Sequence, residues 1–541
     1  MLGLLAGCAD QEDDSLLIYN VTGYTIQADT LAQFDAIYID EGRVYATGER
    51  ENLQARFPNK PTHDGGGNVL LPGFIDSHGH IMNLGFSHLN VNLAGSASLE
   101  EALERVREYA EEYPEVAWIQ GRGWNQTHWE QNDFPTAADL DNVVSDRPVW
   151  LTRIDGHAGW GNSLALEEAG ITADTPDPEG GQIIRYDDGT PAGVLINHAM
   201  ISRIIPPPSE EERRLALDAA LEEIRMFGLT GVHDARINVA DFERYKDYGE
   251  NGSLTTRIYA MIDRTGNIFD QLTEEGPLAL ADDRLILKSV KISIDGALGS
   301  RGAALNEPYS DDPGNDGLLF YETEALSAKI EKASLQGFQV NIHAIGDRAN
   351  KVVLDAHELV QDEHGPLGLR HRIEHAQVVS PDDFPRFAEL DLIASIQPTH
   401  ATSDMNMAED RVGSQRIQGA YAWRTLMEQN TLLTAGSDFP VELTNPFHGF
   451  FSAVARTDFE GNPPNGWYPE QAMTREEAFR TFTINAAYAS HQEDVTGSLE
   501  RGKWADFIIV DRDPFTVPEE ELWQIEVLET WLAGEQVFEK E

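Results

Sequence analysis

One cysteine in 541 residues leaves no partner for an intramolecular disulfide and excludes every metal site built on cysteines. Long apolar runs are missing too. None approaches the roughly 18–20 residues that cross a bilayer, and the mean hydropathy is −0.38, so no transmembrane helix is expected. Positive charge is the third scarcity. Lys and Arg total 40 against 92 Asp and Glu, a formal charge of −52, and a field of that sign repels nucleic acid and anionic membranes. The acids are spread along the chain and lysine occurs only nine times, which reads as a halophilic acidic surface, with an ordinary acidic protein as the alternative. Small molecules remain as the expected partners.

Hydrophobic residues make up 41% of the chain, enough for a core and for two or three structural units. Residues 16–70 hold short β-rich runs and turns, such as Ala36-Ile37-Tyr38-Ile39 before Asp40-Glu41-Gly42, and residues 491–541 repeat that style around Ala505–Asp511 and Thr530–Phe538. Each end alone is too small for a core, so the two are expected to combine into one small β-sandwich domain. From 71 to 490 short apolar strands alternate with amphipathic helices, the pattern of a parallel α/β architecture. Eight strand candidates (Leu70–Asp76, Val149–Ile154, Gly231–Asp234, Leu287–Ile294, Gln339–Ile342, His371–Glu374, Ile393–Gln397 and Leu432–Ala435) predict a TIM-like (β/α)8 barrel. Helices are expected over Ser209–Phe227 and Glu324–Gln336. The spacing of the first strands requires an insertion, about 91–208, which holds Trp118, Trp124, Trp129, Trp150 and Trp160. Val149–Ile154 falls inside it and could serve either unit.

Asp76-Ser77-His78-Gly79-His80 closes the first strand. Alternate strand residues share a face, so His78 and His80 point the same way and can hold one divalent cation. In Val290-Lys291-Ile292-Ser293-Ile294-Asp295 the aliphatic residues take the helix-covered face and turn Lys291 into the barrel. A buried ammonium must be paired, deprotonated or modified. Addition of CO2 to the neutral amine would give a carbamate able to bridge two metals; a salt bridge to Asp295 is the alternative. His343, His375 and Asp438 each follow a strand candidate, at the barrel end where active sites are built.

The motifs Pro72-Gly73-Phe74-Ile75-Asp76-Ser77-His78-Gly79-His80, Asp295-Gly296-Ala297-Leu298-Gly299-Ser300-Arg301, Ile342-His343-Ala344-Ile345-Gly346-Asp347, Glu374-His375-Ala376 and Gly436-Ser437-Asp438-Phe439-Pro440 resemble family 3 of the amidohydrolase superfamily, the YtcJ-like group that includes N-substituted formamide deformylases. The resemblance implies two divalent metal ions, Zn2+ by default with iron, manganese or cobalt as alternatives. His78 and His80 would hold one, His343 and His375 the other, carboxylated Lys291 would bridge them, and Asp438 would be both ligand and proton carrier. The shared water would supply a bridging hydroxide for hydrolysis of a non-peptide C–N bond. Gly346 replaces the Glu that mononuclear deaminases of the superfamily carry three residues after this histidine, which favours a binuclear hydrolase. Trp124, His157, Arg301 and Asp347 resemble substrate-side motifs. His400 and His233, at other strand ends, are expected as substrate contacts or as supports of the ligands.

A neutral amide with an apolar or aromatic substituent is the expected substrate, since the net charge slows a strongly anionic one. Ester, lactone or carbamate hydrolysis at the same centre is the runner-up, and a non-catalytic lipid-anchored binding protein is the rival of another class. Leu5-Ala6-Gly7-Cys8 resembles a bacterial lipobox followed by an acidic tether. That implies a lipoprotein of the periplasm or cell envelope, with a cytoplasmic location as the alternative and a homodimer as the candidate assembly.

Overall fold

A computed structural model describes residues 15–541 apart from 94, 127–128, 131–132, 154–157, 179–180, 198, 201–206, 264–266 and 275. The chain divides into two compact units, one of the residues up to His80 with Leu221–Glu541, the other of Ile81–Ala220.

The larger unit is built on eight parallel strands: β1 (Phe74–Gly79), β2 (Leu229–Ile237), β3 (Arg257–Asp263), β4 (Leu285–Ser293), β5 (Gln339–Ala344), β6 (Arg372–His375), β7 (Ile393–Ile396) and β8 (Leu433–Ala435). Each hydrogen-bonds to the next in chain order, from β1 to β8. The backbone amide of Asp438 donates to His78 O at 2.7 Å and that of His80 to Phe439 O at 2.9 Å, which draws the end of β8 onto β1 and nearly closes the ring. The TIM-like reading therefore holds, with one exchange of strands. Val149–Arg153 lies in the sheet of the other unit, and the third barrel strand is Arg257–Asp263, buried along almost its whole length. Both segments are short apolar runs between polar ends, and nothing local says which sheet each one joins. The Leu70–Asp76 candidate is also divided. Val69–Pro72 belongs to the end sheet and β1 begins at Phe74, with Gly73 at the junction where a Cβ would come within 2.1 Å of the Thr230 hydroxyl.

The two chain ends unite in one continuous eight-stranded sheet, where a sandwich was expected. Val69–Pro72 pairs antiparallel with Phe507–Val510 and carries the join. Successive residues of Leu16–Gln27 and Thr30–Asp40 enter different clusters: Ile18, Ile37 and Ile39 pack with Phe507 and Trp531, while Leu17, Ala36 and Tyr38 pack with Leu53. Both faces are thus covered. The sheet is tied to the barrel by Arg257 at the start of β3, whose guanidinium forms a buried two-toothed pair with Asp506 at 2.7 and 3.0 Å.

Ile81–Ala220 has its own six-stranded sheet, from Gly181–Arg185 at one edge to Val91–Asn92 at the other. Its two cores are rich in tryptophan: Trp124, Trp129 and Trp160 in one, Trp118 and Trp150 in the other.

Two buried imidazoles outside the barrel interior, His371 and His357, are lowered by burial and so contribute to acid sensitivity. His371 accepts from the Val340 amide at 2.9 Å on Nδ1 and faces Ser334 Oγ at 3.3 Å on Nε2; the His357 ring lies 4.9 Å away. Burial, then the charge of His491, lowers His371 from 6.5 to about 4. A base depressed on folding stabilises the fold above its unfolded pKa and loses that contribution as pH falls through the window, here from 6.5 towards 4. The loss amounts to about 3 kcal/mol for this group. Urea midpoints at pH 7 and pH 5 should therefore converge in His371→Gln relative to the unsubstituted chain. An unchanged difference between the two pH values would remove His371 as the cause.

Candidate metal centre

β1 carries His78 next to its last residue and leads into His80, β4 carries Lys291, β5 His343 and β6 His375, while the segment after β8 carries Asp438. The strands bring these groups to one end of the barrel. His78, His375 and Asp438 each offer a ligand atom, and the three atoms lie within 4.8 Å of one another. His80 Nε2 is 3.1 Å from Asp438 Oδ1 and His78 Nε2 is 3.6 Å from it. The His343 and His375 rings are 4.5 Å apart. Lys291 Nζ stands 2.9 Å from His78 Nε2, so the inward orientation read from the strand alternation is correct.

Two of the imidazoles are held from behind. His78 Nδ1 donates to Glu374, and Glu374 is in turn 2.8 Å from Arg372 Nε. Arg372 is wholly buried and also contacts His233 Nδ1, Ser77 O and Ser395 Oγ. With its Nδ1 proton engaged, His78 turns the Nε2 lone pair to the centre. His375 Nδ1 is fixed by Gln397 Oε1 at 2.7 Å, which leaves Nε2 for a cation. Asp76 organises the β1–β8 seam by accepting from Ser437 N, Ser437 Oγ and His78 N. Gly436 is needed there because a Cβ would lie 2.4 Å from Asp76 Oδ1 and 2.5 Å from His78 N. His375 and Asp438 have φ of 74° and 63°, left-handed values uncommon for residues with a side chain and concentrated at functional sites.

Burial, then the charge of Lys291, lowers His78 to about 4. His375 is lowered well below the usual range by burial and by His343. Burial thus favours the neutral form of both rings, the form that binds a cation. Burial opposes ionisation of Asp438, but His78, His80, His375 and His400 outweigh it and keep the carboxyl well below its usual range. Burial lowers Lys291 to about 8 against the pull of Glu374 and Asp438. Nε2 of His343 and of His400 are buried without a hydrogen bond among the described residues. Neutral imidazoles, an ionised carboxylate and orphaned ring nitrogens together are the donor set of a divalent metal site.

The amidohydrolase family pattern matches residues 62–538. The chain belongs to that family. This amidohydrolase is 34% identical over 518 residues to YtcJ of Bacillus subtilis (strain 168), covering 94% of this chain and 96% of that protein. It is 29% identical to an N-substituted formamide deformylase of Arthrobacter pascens, over 97% and 98% of the two chains. A solved metal-dependent hydrolase of Pyrococcus horikoshii OT3 superposes with a TM-score of 0.80 at 29% identity, over 93% of this chain and 99% of that one. The family is one of hydrolases, and the barrel is its scaffold.

Within this amidohydrolase the other expected residues separate. His400 joins the centre, its ring 5.9 Å from that of His375 and its Nε2 3.8 Å from Asp438 Oδ2. His233 lies beneath it as a partner of Arg372. Trp124 corrects the expectation of a substrate contact: it is fully buried in the core of the other unit, and its indole N–H is spent on Leu151 O at 2.8 Å. Arg301 is gripped through Nε and Nη2 by Asp311, at 3.1 and 2.8 Å, which commits one edge of its guanidinium to that carboxylate. Asp347 is buried and accepts from the amides of Asn306 and Arg348, which makes it a brace for the loop after β4. Asp295 pairs with backbone amides and lies 3.3 Å from His343 Nε2, leaving Lys291 to His78. His157 and Cys8 lie outside the described residues. The supports Arg372, Glu374 and Gln397 escaped the sequence reading. The alternation in Arg372-Ile373-Glu374 that sets both charges on one face was the available signal.

Proposed function

We propose that this amidohydrolase cleaves a non-peptide C–N bond, the amide of a small N-acyl compound with an apolar or aromatic substituent. The reading rests on one observation, the convergence of His78, His375 and Asp438 with their ligand atoms within 4.8 Å. His78, His80, His343, His375, Asp438 and a carboxylated Lys291 would hold two divalent cations, with zinc the first candidate for imidazole and oxygen donors. Such cations polarise a carbonyl and provide hydroxide at neutral pH. Asp438, ionised beside four imidazoles, takes up the proton released on attack and passes it to the departing nitrogen, without which an amine leaves poorly. His400, next to Asp438, is placed to fix that carboxylate or the substrate carbonyl. The formamide-cleaving relative supports an amide as the bond.

A panel of N-benzylformamide, N-methylformamide and benzyl formate, assayed before and after chelation, tests the reading. Metal-dependent release of amine, with the benzyl amide favoured over the methyl amide, is the expected outcome. Turnover of the ester with none of either amide would reject it.

A further inference from the structure

On the β2–β4 side of the barrel mouth lies a cavity of about 460 Å³, lined by Arg236, Ser293, Asp295, Phe320, Tyr321 and Lys329 among others. That is room for a small organic group. The cavity adjoins the metal centre. Ser293 follows Lys291 by two positions on the same face of β4, and Asp295 lies 3.3 Å from His343.

Arg236 reaches this wall through local strain. β2 slips in register against β3 between Asp234 and Ile237, and Arg236, within the slip, has φ of 140°. Irregularities of this kind re-aim a side chain, and strained conformations outside glycine persist at sites of function. The redirected guanidinium donates from Nη2 to Ser293 Oγ at 2.7 Å, with Nε 3.4 Å from Asp263 Oδ1. Lys329, on the helix Thr323–Ser334, holds Nζ 4.9 Å from the Tyr321 ring.

The charge of the lining runs against that of the chain. Acids outnumber basic residues 92 to 40 overall, yet this wall has two cations and one carboxylate of its own, with Asp263 outside the lining and 3.4 Å from Arg236 Nε. That carboxylate, Asp295, is buried and already receives the amides of Ala304, Ile345 and Gly346. Phe320, 48% exposed, and Tyr321 add an apolar surface beside the cations.

The geometry points to a subsite for an aromatic or apolar group that ends in a carboxylate, with the anion between Arg236 and Lys329, the Ser293 hydroxyl as a further donor, and the amide towards the metal centre. This rests on the hydrolase reading above and narrows it. The substrate is an N-acyl compound with one carboxylate, and the local wall decides the matter where the net charge alone favours a neutral molecule.

Binding separates the two claims because it needs no turnover. Calorimetric titration with 3-phenylpropionate and with neutral 3-phenylpropanol, at about 0.2 M and about 2 M KCl, should show the acid bound at least about tenfold tighter at the lower salt. The margin should shrink at the higher salt, where charges are screened. Arg236→Gln and Lys329→Gln should each remove most of that preference and leave the alcohol unaffected. Lys329→Gln changes one partly exposed helix position and stays informative where Arg236→Gln disturbs β2. Equal affinity for acid and alcohol, or an acid preference that survives both substitutions, would overturn the subsite while leaving amide hydrolysis to stand on its own assay.

Discussion

Replacing Asp438 by Asn is expected to lower kcat by about 10²–10⁴-fold, the range ascribed to a positioned proton carrier, while at least one metal ion per chain is retained. The carboxylate stands 3.1 Å from His80 Nε2 and 3.6 Å from His78 Nε2. An amide fits the same space and still offers an oxygen to a cation, but it cannot accept and return a proton near neutral pH. Metal analysis beside steady-state kinetics on a formamide separates the two roles. Near-normal kcat in a metal-loaded Asp438→Asn protein would take Asp438 out of the proton path, whereas loss of all metal would make it chiefly a ligand.

Arg372→Met should produce the largest loss of stability. Arg372 and Glu374 are fully buried and 2.8 Å apart, and removing one partner of such a pair costs about 3–5 kcal/mol because the other charge is left alone in the interior. Metal affinity should fall about 10–100-fold as well, since Glu374 would no longer be held against His78 Nδ1. Arg372→Met combined with Glu374→Met supplies the control. Removing the whole pair should restore part of the stability, yet not the metal affinity, because His78 then loses the acceptor that orients it. Urea unfolding and competition with a metal indicator read the two quantities. A double variant no more stable than the single one would show that Arg372 acts through its contacts with Ser77, Ser395 and His233 instead.

The six positions proposed as ligands were legible because each is a polar residue placed immediately after, or alternating within, an apolar strand. Lys291 is the clearest case: Val290, Ile292 and Ile294 occupy one face and leave the amine to the other. Tertiary partners were less accessible. Arg301 looks free in sequence and is claimed by Asp311 ten residues on. Trp124 carries the same indole whether it lines a pocket or a core, and its 0% exposure decides for the core. Arg257–Asp263 was missed as a strand because a run such as Ile258-Tyr259-Ala260-Met261-Ile262 does not reveal its neighbours, whereas Val149–Arg153 offers an equally good local pattern to another sheet.

The join between the chain ends also bears on the order in which the protein is assembled during synthesis. Pro72 pairs with Phe507 and Val69 with Val510, so the strand leading into His78 has Leu16–Gln27 as an early neighbour on one edge, while its partner on the other edge emerges from the ribosome 435 residues after it. Ile81–Ala220, with a sheet and two cores of its own, has no such delay. Domains of this kind fold as units while translation continues, and pairings of high sequence separation form late. The inserted unit is therefore complete while the barrel is still open, and the sheet that anchors the approach to β1 is finished only after the barrel strands themselves, when Phe507–Val510 has been delivered.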